Sequence, residues 1–101
     1  MPRTLKLTAS PSYRAVLLMK FTGLHNLPLR QYTKADGSVI DYHLAEAFGV
    51  YNSQASAKAA LTRETGYAKH YGKWINGLSS SEIPSEIIGF VEVSETVWKD
   101  I

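Results

Sequence analysis

The stretch Leu44–Leu61, LAEAFGVYNSQASAKAAL, decides how this chain is read. Two alanine-rich runs with helical spacing are broken once, by Phe48-Gly49-Val50-Tyr51-Asn52. Just upstream, Ser38 with Asp41 three residues later forms an S-x-x-D capping pattern, which predicts a helix from Val39 to Phe48. On that helix Ile40, Leu44, Ala47 and Phe48 share one face and leave Asp41, His43 and Glu46 outward. Gly49 follows as a helix C-terminal residue able to take positive φ without steric cost. Asn52 or Ser53 caps a second helix over about residues 53–65, stopped by Gly66. The second helix is poor in large apolar residues. Either the pair is a helical hairpin in an ordinary core, or its second helix lies against something other than its own protein.

Working outward, Ser10-Pro11 reads as an N-cap and first-turn proline opening a helix through SYRAVLLMKF, ended by Gly23. A strand reading of YRAVLLMKF stays open, because an apolar run this short is ambiguous. Leu27-Pro28-Leu29 starts a short segment reaching Lys34, and Asp36-Gly37 marks a turn. After the central stretch, Tyr67, Tyr71, Trp74, Ile75 and Leu78 recur at helical spacing. Gly72 weakens that helix, so residues 67–78 are open between helix and β-wing. SSSEIPS is a loop, IIGFVEV is compatible with a strand, and Ser94 is placed to cap a terminal turn. The fold class expected is mainly α, a helix–turn–helix bundle with room for a minor C-terminal β element.

A helix–turn–helix lays its second helix in the major groove while the first braces it. Ala45 is the small residue where the helices would cross, and Gly49 supplies the turn four residues later. Leu44, Phe48, Val50 and Ala55 stand where apolar contacts would lock the pair. The residues between are short and polar, suited to base edges and phosphates at a helix N-terminus. The run LAEAFGV-YNSQAS-AKAAL resembles the helix–turn–helix of small plasmid, phage and fimbrial regulators of the KorA/TrfB, PapB and Cro types. The resemblance covers about a fifth of the chain. It implies a dimeric or oligomeric transcriptional regulator whose recognition helix carries Tyr51, Asn52, Ser53, Gln54, Ser56, Ala57 and Ala60. One position departs from the pattern: Lys58 stands where a core residue is expected, which leaves the rotation of this helix open.

Charge is distributed in a way that suits an anionic partner. Residues 1–78 carry a net charge of +6 and residues 79–101 a net of −4, which together give the overall +2. Such a basic body with an acidic segment points to an anionic partner for the body. Lys58 and Arg63 fall on the recognition helix, Lys69, His70 and Lys73 follow it, and Arg30 and Lys34 precede it. Tyr67, Tyr71 and Trp74 interleave with these groups and read more readily as core than as nucleic-acid contacts.

Within 101 residues the expectation is a single DNA-binding domain, with the helix–turn–helix at about 39–65. The segment 79–101 is the candidate for oligomerisation, because Ile87, Ile88, Phe90, Val91, Val93, Val97 and Trp98 exceed what a small basic body needs to bury. The expected partners are double-stranded DNA and a second copy of the chain, as a homodimer or higher homo-oligomer. The chemistry of other classes is missing. There are no cysteines, so disulfides and thiolate sites are excluded. His25, His43 and His70 lack metal-ligand spacing, and surface or phosphate-facing roles suit them better. Gly66 and Gly72-Lys73 fail as a phosphate loop, since five residues separate the glycines and Trp74 replaces the magnesium-binding hydroxyl. Glu82, Glu86, Glu92 and Glu95 show no catalytic spacing. No enzyme, metal or cofactor is expected. Apolar runs are too short to span a bilayer or to form a signal segment, so a cytoplasmic, nucleoid-associated protein is the default.

The leading expectation is a sequence-specific DNA-binding regulator, a repressor by preference. An alternative is a small phage or plasmid protein that antagonises a host factor through its acidic segment, without DNA contact. A third, coating of the nucleoid, shares the charge but not the sequence preference.

Overall fold

The computed structural model describes residues 11–23, 27–34, 36–75, 81–94 and 98–100, the last group by backbone alone. Strand β1 (Ser12–Lys20) is followed by a hairpin of β2 (Arg30–Thr33) and β3 (Val39–Tyr42), then by β4 (Leu44–Tyr51). Helix α1 (Gln54–Tyr71) leads to β5 (Glu86–Ser94) and β6 (Trp98–Asp100). The strands form a four-stranded antiparallel sheet of order β4-β1-β5-β6 and a separate two-stranded sheet, β2-β3.

Strand β1 organises the rest. Its apolar run Ala15–Met19 is buried on both faces, as a central strand covered on both sides must be. Leu17 and Met19 point to one face with Ala68, Ile75 and Phe21, where Leu44, Phe48, Leu61 and Ile87 join them under α1. Val16 and Leu18 point to the other with Phe90, and Tyr32, Ile40 and Tyr42 of the hairpin cover them. The sheet is therefore a middle layer between one helix and one hairpin. Arg14, on the hairpin side, pairs with Glu92 across β1 and β5: Nη2 and Nε lie 2.7 and 2.8 Å from Oε1. The Tyr32 hydroxyl donates to Oε2 of the same carboxylate, fastening the hairpin to the sheet. Glu92 is only 2% exposed.

A mainly α architecture is overturned: among the described residues there is one helix. The helix expected over Val39–Phe48 is two strands, so the helix pair of a helix–turn–helix is not formed. Ser38 and Asp41 do not cap a helix. Ser38 instead donates its N–H and hydroxyl to Asp36 Oδ1, at 2.8 and 2.6 Å, and closes the β2–β3 turn at Asp36-Gly37. Those two bonds, the hydroxyl's first, hold the Asp36 carboxyl below its ordinary range. His43, expected to face outward, sits between β3 and β4. Its N–H donates to Met19 O at 2.8 Å and its Nδ1 accepts from the Phe21 N–H at 2.9 Å. The helix expected through SYRAVLLMKF is β1, and Trp98–Asp100 is a strand rather than a capped turn.

The physical reason lies in the alanines. Leu44, Glu46 and Phe48 are half-buried while Ala45 and Ala47 are exposed, so β4 alternates with the period of a strand. Alanine satisfies helical and strand periods alike, and pairing with β1 overrides its helical preference. Gly49 does take positive φ, at +132°, but inside a β-bulge. Two residues, Gly49 and Val50, lie between Phe48 and Tyr51 where one, Arg14, lies between Tyr13 and Ala15. A Cβ there would lie 3.0 Å from Tyr13 O.

The second helix of the expected pair is present and longer than its predicted span. Ser53 caps it, accepting from the Ser56 N–H at 3.1 Å. It passes through Gly66 and ends at Gly72, whose N–H reaches Ala68 O at 3.0 Å. Residues 67–71 are helix, and Lys73 then pairs with Glu82 as an isolated bridge. Gly72 has φ +75°, and an added Cβ would lie 2.7 Å from Glu82 O. Gly72→Ala is expected to lower stability by at least about 1–2 kcal/mol, the cost of a side chain in left-handed geometry. Urea unfolding beside the wild type measures it.

The strand compatible with IIGFVEV is β5, and five of the seven apolar residues assigned to oligomerisation pack within the fold. Phe90, Val91 and Val93 are buried, and Ile87 and Ile88 pack against the two core clusters. His25, Leu78, Glu95 and Val97 lie outside the described residues.

Candidate nucleic-acid interface

Helix α1 meets the sheet through Ala57, Ala60 and Ala68, all buried, with Leu61 and Glu64 half-buried beside them. The phase is i, i+3, i+4, i+7, i+11, one helical face. It fixes the rotation that Lys58 left open: Lys58 points out. Ala57 and Ala60, assigned to DNA by resemblance, are turned into the sheet and cannot meet a ligand.

The opposite side of α1 has a definite relief. Ala55, Ala59, Thr62 and Gly66 form an exposed crest of short side chains. Lys58 and Lys69 run along one flank, above a shallow groove where Leu61, Thr62, Thr65, Gly66 and Lys69 face Gly89 of β5. Arg63 and His70 run along the other flank, toward β4. Arg63 Nε lies 3.4 Å from Glu64 Oε2. Hydrogen bonds to Tyr51 first, then to Glu64, raise the guanidinium pKa above its ordinary value. Arg63 is thereby anchored but keeps an exposed face.

The remaining sequence-predicted residues divide by place. Asn52, Ser53, Gln54 and Ser56 are exposed at the start of α1, where the first turn holds no acid. Tyr51 is half-buried at the end of β4 and serves Arg63. Lys73 is committed elsewhere: Nζ lies 2.6 Å from Glu46 Oε1 and 5.7 Å from the centroid of the Phe48 ring.

Three residues read as core from sequence are at the surface. Tyr67, Tyr71 and Trp74 are 50%, 67% and 61% exposed. Periodicity relative to one another suggested a buried stripe. Helical phase does not reveal this: Tyr71 lies three, seven and eleven positions after Ala68, Glu64 and Ala60, in step with the packed face, and is exposed as the last residue of the helix. Among the described residues no group of three or more metal-ligating side chains gathers, and no helix is long and apolar enough to cross a membrane. No protein-family model, curated protein or solved structure matches this chain, and its own residues carry the functional argument.

Proposed function

We propose that the protein binds double-stranded DNA by laying the exposed side of α1 along the major groove, and that it regulates by occupying its site. The observation that carries this reading is the crest of short side chains with cations on both flanks. A helix about 10–12 Å across matches a groove about 12 Å wide. Short crest residues let the helix approach the base edges, while Lys58 and Lys69 on one side and Arg63 and His70 on the other meet the two bordering phosphate rows. The one acid among these groups, Glu64, is held by Arg63. Gln54, Ser56 and Thr62 are the side chains placed to read bases. This reading does not depend on a helix–turn–helix.

The protein-antagonist alternative relied on the acidic segment 79–101. Glu92 is buried against Arg14, and Glu86 lies 3.9 Å from Lys20. Glu92 is therefore spent within the fold and Glu86 is partly neutralised at the surface, so the alternative loses support.

Three permanent cations at the interface, Lys58, Arg63 and Lys69, predict that log K falls against log salt with a slope of about −3 per protomer. Fluorescence anisotropy of a labelled duplex across a salt series checks this. A flat response would remove the reading.

A further inference from the structure

The crest and its flanking cations leave a second feature of α1 unused, on the side that runs round from Arg63 and His70. At the C-terminal end of α1 three large aromatic rings stand in solvent within eight residues: Tyr67, Tyr71 and Trp74. Tyr67 and Tyr71 are one turn apart with centroids at 6.2 Å and planes at 51°. His70 meets Tyr71 edge-on at 4.5 Å. Trp74 follows the corner at Gly72-Lys73, where the chain leaves the helix and pairs with Glu82.

Exposed rings in these numbers call for a ligand of matching chemistry. The charges around them select it. Arg63 and His70 share the aromatic flank, and Lys69 closes the other side of the same turn. Two carboxylates near this end are engaged, Glu46 with Lys73 and Glu64 with Arg63. Glu82 is half-buried across the bridge from Lys73. The setting thus favours an anion with flat apolar faces. A nucleic-acid strand with unpaired bases has both, since bases stack on aromatic side chains with little regard to sequence while phosphates meet the cations.

The ring geometry says how many bases and from where. A base held between two rings needs about twice the 3.4 Å stacking distance. Tyr67 and Tyr71, 6.2 Å apart and tilted, touch each other instead and offer only outer faces. Paired bases inside a duplex cannot reach such faces, whereas a strand leaving the end of a duplex can.

We infer that the end of α1 is a stacking platform for unpaired bases, so that the substrate is a duplex with a single-stranded extension rather than uninterrupted duplex. This rests on the DNA-binding reading of α1 and narrows it.

The test compares a blunt 20-base-pair duplex with the same duplex carrying a short thymidine overhang, by anisotropy at one salt concentration. The overhang is expected to bind roughly 5- to 100-fold tighter, the range for one stacked base. Tyr71→Ala and Trp74→Ala should erase that advantage and leave blunt-duplex affinity unchanged. Lys58→Ala combined with Lys69→Ala should weaken both substrates alike. Circular dichroism confirms that these surface variants remain folded. Equal binding of blunt and overhanging duplex, or an advantage that survives both aromatic substitutions, overturns the platform but not the DNA reading. Absence of binding to either substrate overturns both.

Discussion

Glu92→Ala is expected to lower the unfolding free energy by about 2–4 kcal/mol, below the full loss for a buried ion pair because the Arg14 side chain stays 30% exposed. Glu92 is 2% exposed and its two oxygens serve different elements: Oε1 takes Arg14 of β1, and Oε2 takes the Tyr32 hydroxyl of the hairpin. Removal leaves a guanidinium turned toward the covered face of the sheet and a phenol without its acceptor. It also loosens the hairpin from the layer it covers. Urea denaturation monitored by circular dichroism gives the size. Tyr32→Phe separates the two halves, because it deletes only the hydroxyl and should cost about 1–2 kcal/mol. A Glu92→Ala loss no larger than that of Tyr32→Phe would show that the ion pair contributes nothing of its own.

Leu17→Ala is the second large effect, expected at about 2–5 kcal/mol. Leu17 is fully buried in the central strand, between β4 and β5 and beneath α1. Its cross-strand partners are Gly89, which has no side chain, and Glu46, which is held by Lys73, so neither is available to fill the space it vacates. The surrounding strands are hydrogen-bonded on both sides of β1, which restricts collapse into the void. Leu29→Ala is the matched control: Leu29 is 56% exposed, and a surface truncation should stay within about 0.5 kcal/mol. Comparable losses at the two positions would contradict the placement of the core.

How much of this was legible can be judged residue by residue. Ser53 as a cap, Asp36-Gly37 as a turn and Gly49 at positive φ each follow from local chemistry, and each is found. What local chemistry cannot say is the element a residue serves. The conformation allowed to Gly49 fits a helix end and a strand bulge equally, and only its distance from Tyr13 on another strand separates them. Ala15–Met19 was ambiguous for a related reason. A strand covered on both faces loses the alternation that would identify it. Helix α1 runs past Gly66, where the sequence reading ends it. Gly66 lies on the exposed crest, where nothing within 4 Å would meet a side chain, so it only weakens the helix locally.

The candidate surface was read in the same partial way. Lys58, Arg63, Lys69 and His70 were legible from charge. Lys73 was misplaced because its partner Glu46 is on β4, 27 positions earlier. Ala57 and Ala60 carried DNA-facing roles from a resemblance that assumed a different first helix. The aromatic residues have core spacing even against the packed face of α1, and their exposure follows from their place at the end of the helix, which no local spacing shows.

Strand β1 also sets a timetable. It leaves the ribosome before its partner β5, which pairs with it across separations such as the 78 positions from Arg14 to Glu92. Until β5 emerges, the apolar run of β1 has β4 on one side and an open edge on the other. Long-range pairing of this kind is slow, and an unpaired apolar strand invites association with other chains. The nascent protein therefore passes through an interval in which its most buried segment is its most adhesive one. Emergence of β5 ends that interval, which makes the yield of folded protein sensitive to the rate at which the segment from α1 to β5 is translated.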